Sequence, residues 1–312
     1  MIFKNKYDLP ESWCTAVMKS YSQEPYSLDL ISATALDMPP RVRILQARHW
    51  DEIEVEVSEE CHKLWGTLLH KKITEMQDSE IYMIEQRISL PFQILNIKKT
   101  LVGRPDLYHK KLGIIEDYKT TSVWSYIFNK EEWDKQLNVY AYLINEALGL
   151  PVNDLMIVIF FKDWYQTESQ KYKDYPKTNP CIYKPRLWTK KEQYDYIANR
   201  IVMHGEAESL PDDQLPICTP EERYHQPDIY AIYKIVNGKE SSKAIDAQCK
   251  TEKEALDRIK ELKEKSSGEY IIKLRRGYDK RCYEYCNVNK FCNFYKELIN
   301  GKQDSDNTEE MQ

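Results

Sequence analysis

Asp106 closes the run Gly103-Arg104-Pro105-Asp106 and is followed eleven residues later by Asp117 of Asp117-Tyr118-Lys119. An apolar run from Leu112 to Ile115, broken only by Gly113, leads into the second triplet. Two carboxylates held on neighbouring strands bind a hard divalent cation through oxygen, and a lysine beside them supplies positive charge near a phosphate. A metal-dependent phosphodiesterase needs that set, and its substrate would be nucleic acid. Each motif alone says less: Gly/Pro/Asp clusters usually mark turns, and charged strand ends are common. Order, spacing and neighbours carry the reading, because two carboxylates brought so close repel unless a cation sits between them.

Two further features fit. Gln136 and Tyr140 are four apart in a helical stretch and so share a face, where an amide and a phenol could orient Lys119, a phosphate or a water. The plainer alternative is an exposed glutamine and a half-buried tyrosine. His70 lies on an earlier predicted helix. A lone histidine is more often a satisfied structural residue than a ligand, yet a neutral imidazole would complete a site preferring manganese to calcium.

These residues need elements to hold them. The first sixty residues read as mostly helical, with breaks at Pro10, Pro25 and Pro39-Pro40. A helix from Ser58 carries Cys61, Leu64, Trp65, Leu68, Leu69 and Ile73 at a spacing that makes an apolar face. Alternating stretches at 84–90, 95–102 and 113–119 predict three strands of one sheet joined by short turns. A helix over 130–148 follows, then a continuous apolar run at 155–161 that suits a buried central strand. Helices return at 185–210 and 252–265. This order predicts an α/β (α+β) core with a central mixed sheet flanked by helices. The expected division is an N-terminal helical segment over 1–57, the core over 58–210, a C-terminal cysteine-containing module over 211–300 and a disordered acidic tail over 301–312.

The net charge of -5 gives no global basic signal, so contact with nucleic acid must come from local patches. Candidates are Lys98-Lys99, Lys110-Lys111, Lys190-Lys191 and Arg275-Arg276, each of which is individually more consistent with a solvated surface. No apolar stretch is long enough to span a bilayer, and the charged amino terminus has no apolar signal core, so no membrane role and a cytoplasmic location are expected. The eight cysteines then point to metal ligation or burial before disulfides.

Gly66 and His70, the Gly103–Asp106 run, Ile115-Glu116-Asp117-Tyr118-Lys119-Thr120, and Gln136 with Tyr140 together resemble the PD-(D/E)XK nuclease superfamily. Within it they are similar to the RecB-like branch, which includes CRISPR-associated RecB-like exonucleases and phage relatives. The resemblance implies a restriction-endonuclease-like core and a metal-dependent DNA nuclease, by family habit an exonuclease, in phage or bacterial recombination, repair or DNA processing. A structure-specific endonuclease, or a non-cleaving DNA-binding or assembly protein on the same fold, are the alternatives. It implies Mg2+ or Mn2+ held by His70, Asp106, Asp117 and the backbone carbonyl of Tyr118. Lys119 would position the attacking water and stabilise phosphate charge, with Gln136 and Tyr140 in support. Glu85 occupies a strand position where some relatives carry an additional acidic residue. DNA is the implied partner, in a bacterial or phage-infected cytoplasm, with room for a helicase or recombinase.

Cys282, Cys286 and Cys292 fall within eleven residues, and thiolates so close usually share a metal. Spacing does not separate an iron–sulfur cluster from structural Zn2+, and both want a fourth ligand. The resemblance implies a 4Fe-4S cluster held by three carboxyl-terminal cysteines and one distant cysteine. In the CRISPR-associated relatives the distant one precedes the core, whereas here the corresponding stretch 35–40 carries Met38. Cys218, in a Pro-flanked segment at the start of the terminal module, is the preferred fourth ligand.

Overall fold

A computed structural model describes every residue except 22–26, 129–130, 267 and 301–312, so the break at Pro25 and the predicted tail lie outside the described residues. The chain divides into two compact units, Met1–Pro216 and Ile217–Gln312. The first begins β1 (Ile2–Lys4), α1 (Glu11–Ser20), β2 (Leu30–Ser32), α2 (Ala33–Asp37), α3 (Pro40–Arg48), β3 (Glu54–Glu56) and α4 (Cys61–Glu75). It continues β4 (Tyr82–Ile84), β5 (Ile88–Ile94), β6 (Ile97–Gly103), β7 (Leu107–His109) and β8 (Ile114–Thr121). Helices α5 (Val123–Phe128) and α6 (Glu131–Leu148) precede β9 (Asp154–Phe161), α7 (Gln166–Lys171), β10 (Cys181–Tyr183) and α8 (Lys190–Glu208).

The mixed α/β class holds, and the central sheet runs β10-β9-β8-β7-β4. Its β8 and β9 are parallel while the other pairs are antiparallel, which makes the sheet mixed. One face is apolar because β9 alternates strictly: Leu155, Ile157, Ile159 and Phe161 are buried and the residues between them are not. Helix α6 lies on that face, and its Leu137, Tyr140, Leu143 and Ile144 join the same core. The α6 stripe also contacts β5 and β6. Gly103 makes this approach possible, since a Cβ there would stand 2.5 Å from Leu143 Cδ1.

Four expectations are corrected. The first sixty residues hold three short strands as well as helices; β2 adds to the edge of β6 through Ile31, fully buried, a signal too short for periodicity to register. The three predicted strands do not share one sheet. β5 and β6 pair with β2 in a separate three-stranded sheet, while β8 belongs to the central one. The change of sheet falls at Arg104-Pro105, where proline cannot donate to a ladder. The predicted apolar face of α4 is largely open, with Trp65 50% and Leu68 57% exposed. The helix meets β8 through Gly66, which lies opposite Thr120, and its buried residue is Thr74. Lastly, α8 begins at Lys190 rather than 185, because Thr189 and Glu192 form a capping box there.

The second unit contains β11 (His225–Gln226), β12 (Ile229–Val236), β13 (Lys239–Glu240), β14 (Asp246–Cys249), α9 (Glu252–Lys265), β15 (Glu269–Arg275), β16 (Tyr278–Asp279) and α10 (Lys280–Glu284). β12 pairs antiparallel with β15 on one edge and with β13 and β14 on the other. Helix α9 packs on this sheet around a small core of Ile232, Cys249, Ala255 and Ile259.

Candidate active site

Strand register puts three carboxylates in one row. Ile84 pairs with Leu107 and Leu107 with Glu116, so one step along the ladder sets Glu85 beside Asp106 and Asp106 beside Asp117. The Glu85 N–H donates to the Asp106 carbonyl at 2.9 Å, and the Tyr118 N–H donates to Asp106 Oδ2 at 2.8 Å. Glu85 itself takes φ 42°, a left-handed backbone that glutamate rarely adopts, and its Oε1 accepts from Thr74 Oγ1 at 3.3 Å. Helix α4 brings His70 to the row, with Nδ1 3.8 Å from Asp106 Oδ2.

A second chain of contacts runs from Asp117 to α6. Lys119 Nζ is 2.7 Å from Asp117 Oδ2 and donates to Gln136 Oε1 at 2.8 Å. Gln136 Nε2 then donates to the Tyr140 hydroxyl at 2.8 Å. Gln136 and Tyr140 share a face of α6 as their spacing requires, and the glutamine holds the lysine amine directly over Asp117.

The electrostatics match a site with too much negative charge. Asp117 is 3% exposed. Burial, and next the charge of Asp117, push the Asp106 carboxyl up to about 7, against the opposing pull of the Tyr118 amide and Lys119. Burial lowers the pKa of His70, keeping its imidazole neutral, the form that binds metals. Two buried atoms there, His70 Nε2 and Asp117 Oδ2, lack a hydrogen bond of acceptable geometry. Among the described residues no group of three or more His, Cys, Asp or Glu side chains stands in metal-holding geometry. The donor set nonetheless fits a hard divalent cation: carboxylate oxygens and one neutral imidazole whose buried Nε2 has no hydrogen-bond partner.

The family model described as the PD-(D/E)XK nuclease superfamily matches residues 16–293. The chain belongs to this superfamily. Membership implies phosphodiester hydrolysis, for which magnesium or manganese is the general cofactor. No curated protein matches the chain. It is also similar to a solved structure described as the crystal structure of SSO0001, at 14% identity and TM-score 0.45, covering 61% of this chain and 83% of that one.

In this PD-(D/E)XK chain the sequence motifs name Glu85 without showing what positions it. Glu85 gains its place from the β4–β7 register, which three-residue strands do not advertise. Arg104 belongs to the Gly103–Asp106 run, whereas Arg87 lies outside every motif read from the sequence. The basic pairs singled out from sequence are instead partly or wholly engaged: Lys99 with Glu208, Lys110 with the Ser79 carbonyl, Lys190 with Glu146, Lys191 with Asp195 and Arg276 with Asp228.

In the second unit, α10 and the turn after it gather cysteines. The Cys286 N–H donates to the Arg281 carbonyl at 2.8 Å, and Asn289 Nδ2 donates to the Cys282 carbonyl at 3.0 Å, which folds the segment back on itself. Burial pushes the Cys218 thiol up to about 12, and Glu222 together with the nearby Cys286, Cys292 and Cys282 adds to the shift. Cys282 is pushed up to about 11 by burial and then by Cys286. Cys218 is thus within electrostatic reach of Cys286, Cys292 and Cys282, although among the described residues the four do not stand in metal-holding geometry, and none forms a disulfide.

Proposed function

We propose that this chain is a RecB-like nuclease that hydrolyses phosphodiester bonds in DNA, as an exonuclease of phage or bacterial recombination, repair or DNA processing. The observation that carries the hydrolytic reading is the buried Asp106–Asp117 pair, with a neutral histidine on one side and a lysine held by Gln136 on the other. His70, Asp106, Asp117 and the Tyr118 carbonyl would hold Mg2+ or Mn2+, with Glu85 as an additional acid. Such a cation, when bound, supplies Lewis acidity that offsets phosphate charge and acidifies water. Lys119 is a compact charge that neutralises the phosphate without competing for the cation. Gln136 and Tyr140 fix its amine, so that it need not reorganise when substrate arrives. The four cysteines are proposed as a second, structural centre, an iron–sulfur cluster by resemblance or zinc by the same ligand chemistry.

Labelled linear and circular DNA, incubated with manganese or magnesium beside Asp117→Ala, tests the reading. Metal-dependent cleavage of linear DNA alone supports the exonuclease, and cleavage of both substrates points to the endonuclease alternative. Cleavage of neither sinks the enzyme. A visible absorption band lost in Cys286→Ser supports iron–sulfur; zinc by metal analysis, with no such band, replaces it.

A further inference from the structure

Between β4 and β5, and between β6 and β7, the chain passes from one sheet to the other through residues 85–87 and 104–106. Ile84 pairs with Leu107 before this passage and Ile88 with Gly103 after it, so the two unpaired segments between are equal in length. Arg87 and Arg104 each adjoin the Ile88–Gly103 pair, and each lies two residues from the carboxylate row at Glu85 and Asp106. Both arginines are exposed. Among the described residues, they are the arginines with neither a hydrogen bond nor an ion pair. The others are engaged, as Arg43 is with Glu208, Arg48 with Asp212, Arg186 with Glu192 and Arg258 with Asp246.

Like charges brought near each other where two chain segments run side by side repel. An arginine pair in that position is relieved by an anion lying between the two side chains. The planar guanidinium fork suits the paired oxygens of a phosphate better than any ammonium does. Arg104 also shares its surroundings with the site, since its charge is felt at the Tyr140 hydroxyl alongside those of Asp117 and Asp106. Two residues of extended chain span about 7 Å, roughly one nucleotide step along a strand. A phosphate gripped here would leave the next one over the carboxylates.

We propose that Arg87 and Arg104 form a clamp for the phosphate adjacent to the scissile one, fixing which bond of the strand meets Asp106 and Asp117. The scissile position in this statement rests on the nuclease reading above; the clamp itself does not. The test compares Arg87→Gln/Arg104→Gln with the full wild-type chain and with Lys190→Gln/Lys191→Gln, which removes the same charge from α8. Binding of a fluorescein-labelled DNA duplex is measured in EDTA over a salt series, and cleavage separately with manganese. The arginine variant should bind about tenfold more weakly, and its salt slope should fall by roughly 1 to 2. In cleavage its KM should rise while kcat stays within about twofold, and the lysine variant should match wild type in all three. Arg87→Lys/Arg104→Lys should recover only part of the loss. The clamp is overturned if the arginine variant behaves as wild type, if the α8 variant loses as much, or if lysines restore everything. A wild type that binds but never cuts, with binding still lost in the arginine variant, would remove the nuclease reading and keep the clamp as a nucleic-acid site.

Discussion

The carboxylate row of the first unit and the cysteine group of the second are the two metal-ligating sets proposed above, yet they stand on different foundations. The row sits at the edge of a core that includes Ile115, Leu137, Leu143, Ile157 and Ile159, all fully buried. Its geometry is imposed by strand register, so the fold holds it whether or not a cation is bound. The cysteines belong to a unit whose sheet and helix bury few apolar side chains. The charge states differ as well. The row concentrates negative charge at neutral pH, whereas the thiols are pushed far enough up to stay protonated and neutral. One site stores repulsion for a cation to relieve; the other is close to indifferent until a metal displaces its protons.

The largest expected effect follows from the first half of that contrast. Asp117→Ala should lower metal-dependent cleavage by about a thousandfold or more, while the melting temperature holds or rises, because a buried charge has been removed. Cleavage assays beside calorimetry check it, and a variant that unfolds would show that the row is structural after all. Next in size is Cys286→Ser. If metal ligation stabilises the second unit, that unit should lose roughly 3 kcal/mol or more, seen as early proteolysis of the region after Pro216. Unchanged protection would mean that the small apolar core suffices alone. A smaller loss is expected for Gln136→Ala, which frees the Lys119 amine: kcat should fall about tenfold to a hundredfold with little change in DNA binding. Equal kcat in variant and wild type would break the link from α6 to the row.

How far these sites were legible in the sequence depends on the length of the element behind each residue. Helix α6 and strand β9 run for many residues with clear periods, so Gln136 and Tyr140 could be placed on one face from spacing alone. Asp106 and Asp117 were legible as motifs because glycine, proline and charge punctuate them. The pairing that makes a row of them was not, since β4 and β7 are three residues each and carry no period. The split into two sheets was hidden for a related reason. Alternation reports that a strand has two faces and says nothing of which strand lies beside it. On α4, apolar spacing predicted a buried stripe, whereas Gly66 and Thr74 make the contact; small residues allow close approach but leave little hydrophobic signal. Cys282, Cys286 and Cys292 stand out by density and Cys218 by its Pro-flanked segment, and which metal such a set would take is not a property that spacing encodes.

The smallest expected effect tests the charge contrast directly. In the metal-free protein, Asp106 keeps its proton to about pH 7, whereas in the unfolded chain it loses it near the ordinary aspartate value. Between those limits the folded state binds more protons than the unfolded one, so stability falls as pH rises through the interval. Asp106→Asn cannot titrate and keeps a hydrogen-bonding side chain of nearly the same shape. The variant should therefore match the wild type near pH 4 and become progressively more stable than it as pH rises toward neutrality. Adding manganese should erase the difference, or reverse it, in the wild type's favour. The thiols predict no such pH-dependent gap for the second unit. Burial pushes Cys218 up to about 12 and Cys282 up to about 11, so Cys282→Ser should leave the pH dependence of metal-free stability between pH 5 and 8 as it is in the wild type. Denaturant unfolding in EDTA at several pH values measures both. A gap between Asp106→Asn and wild type that does not widen with pH would mean that the row is already neutralised without a cation, and the contrast between the two sites would then rest on core size alone.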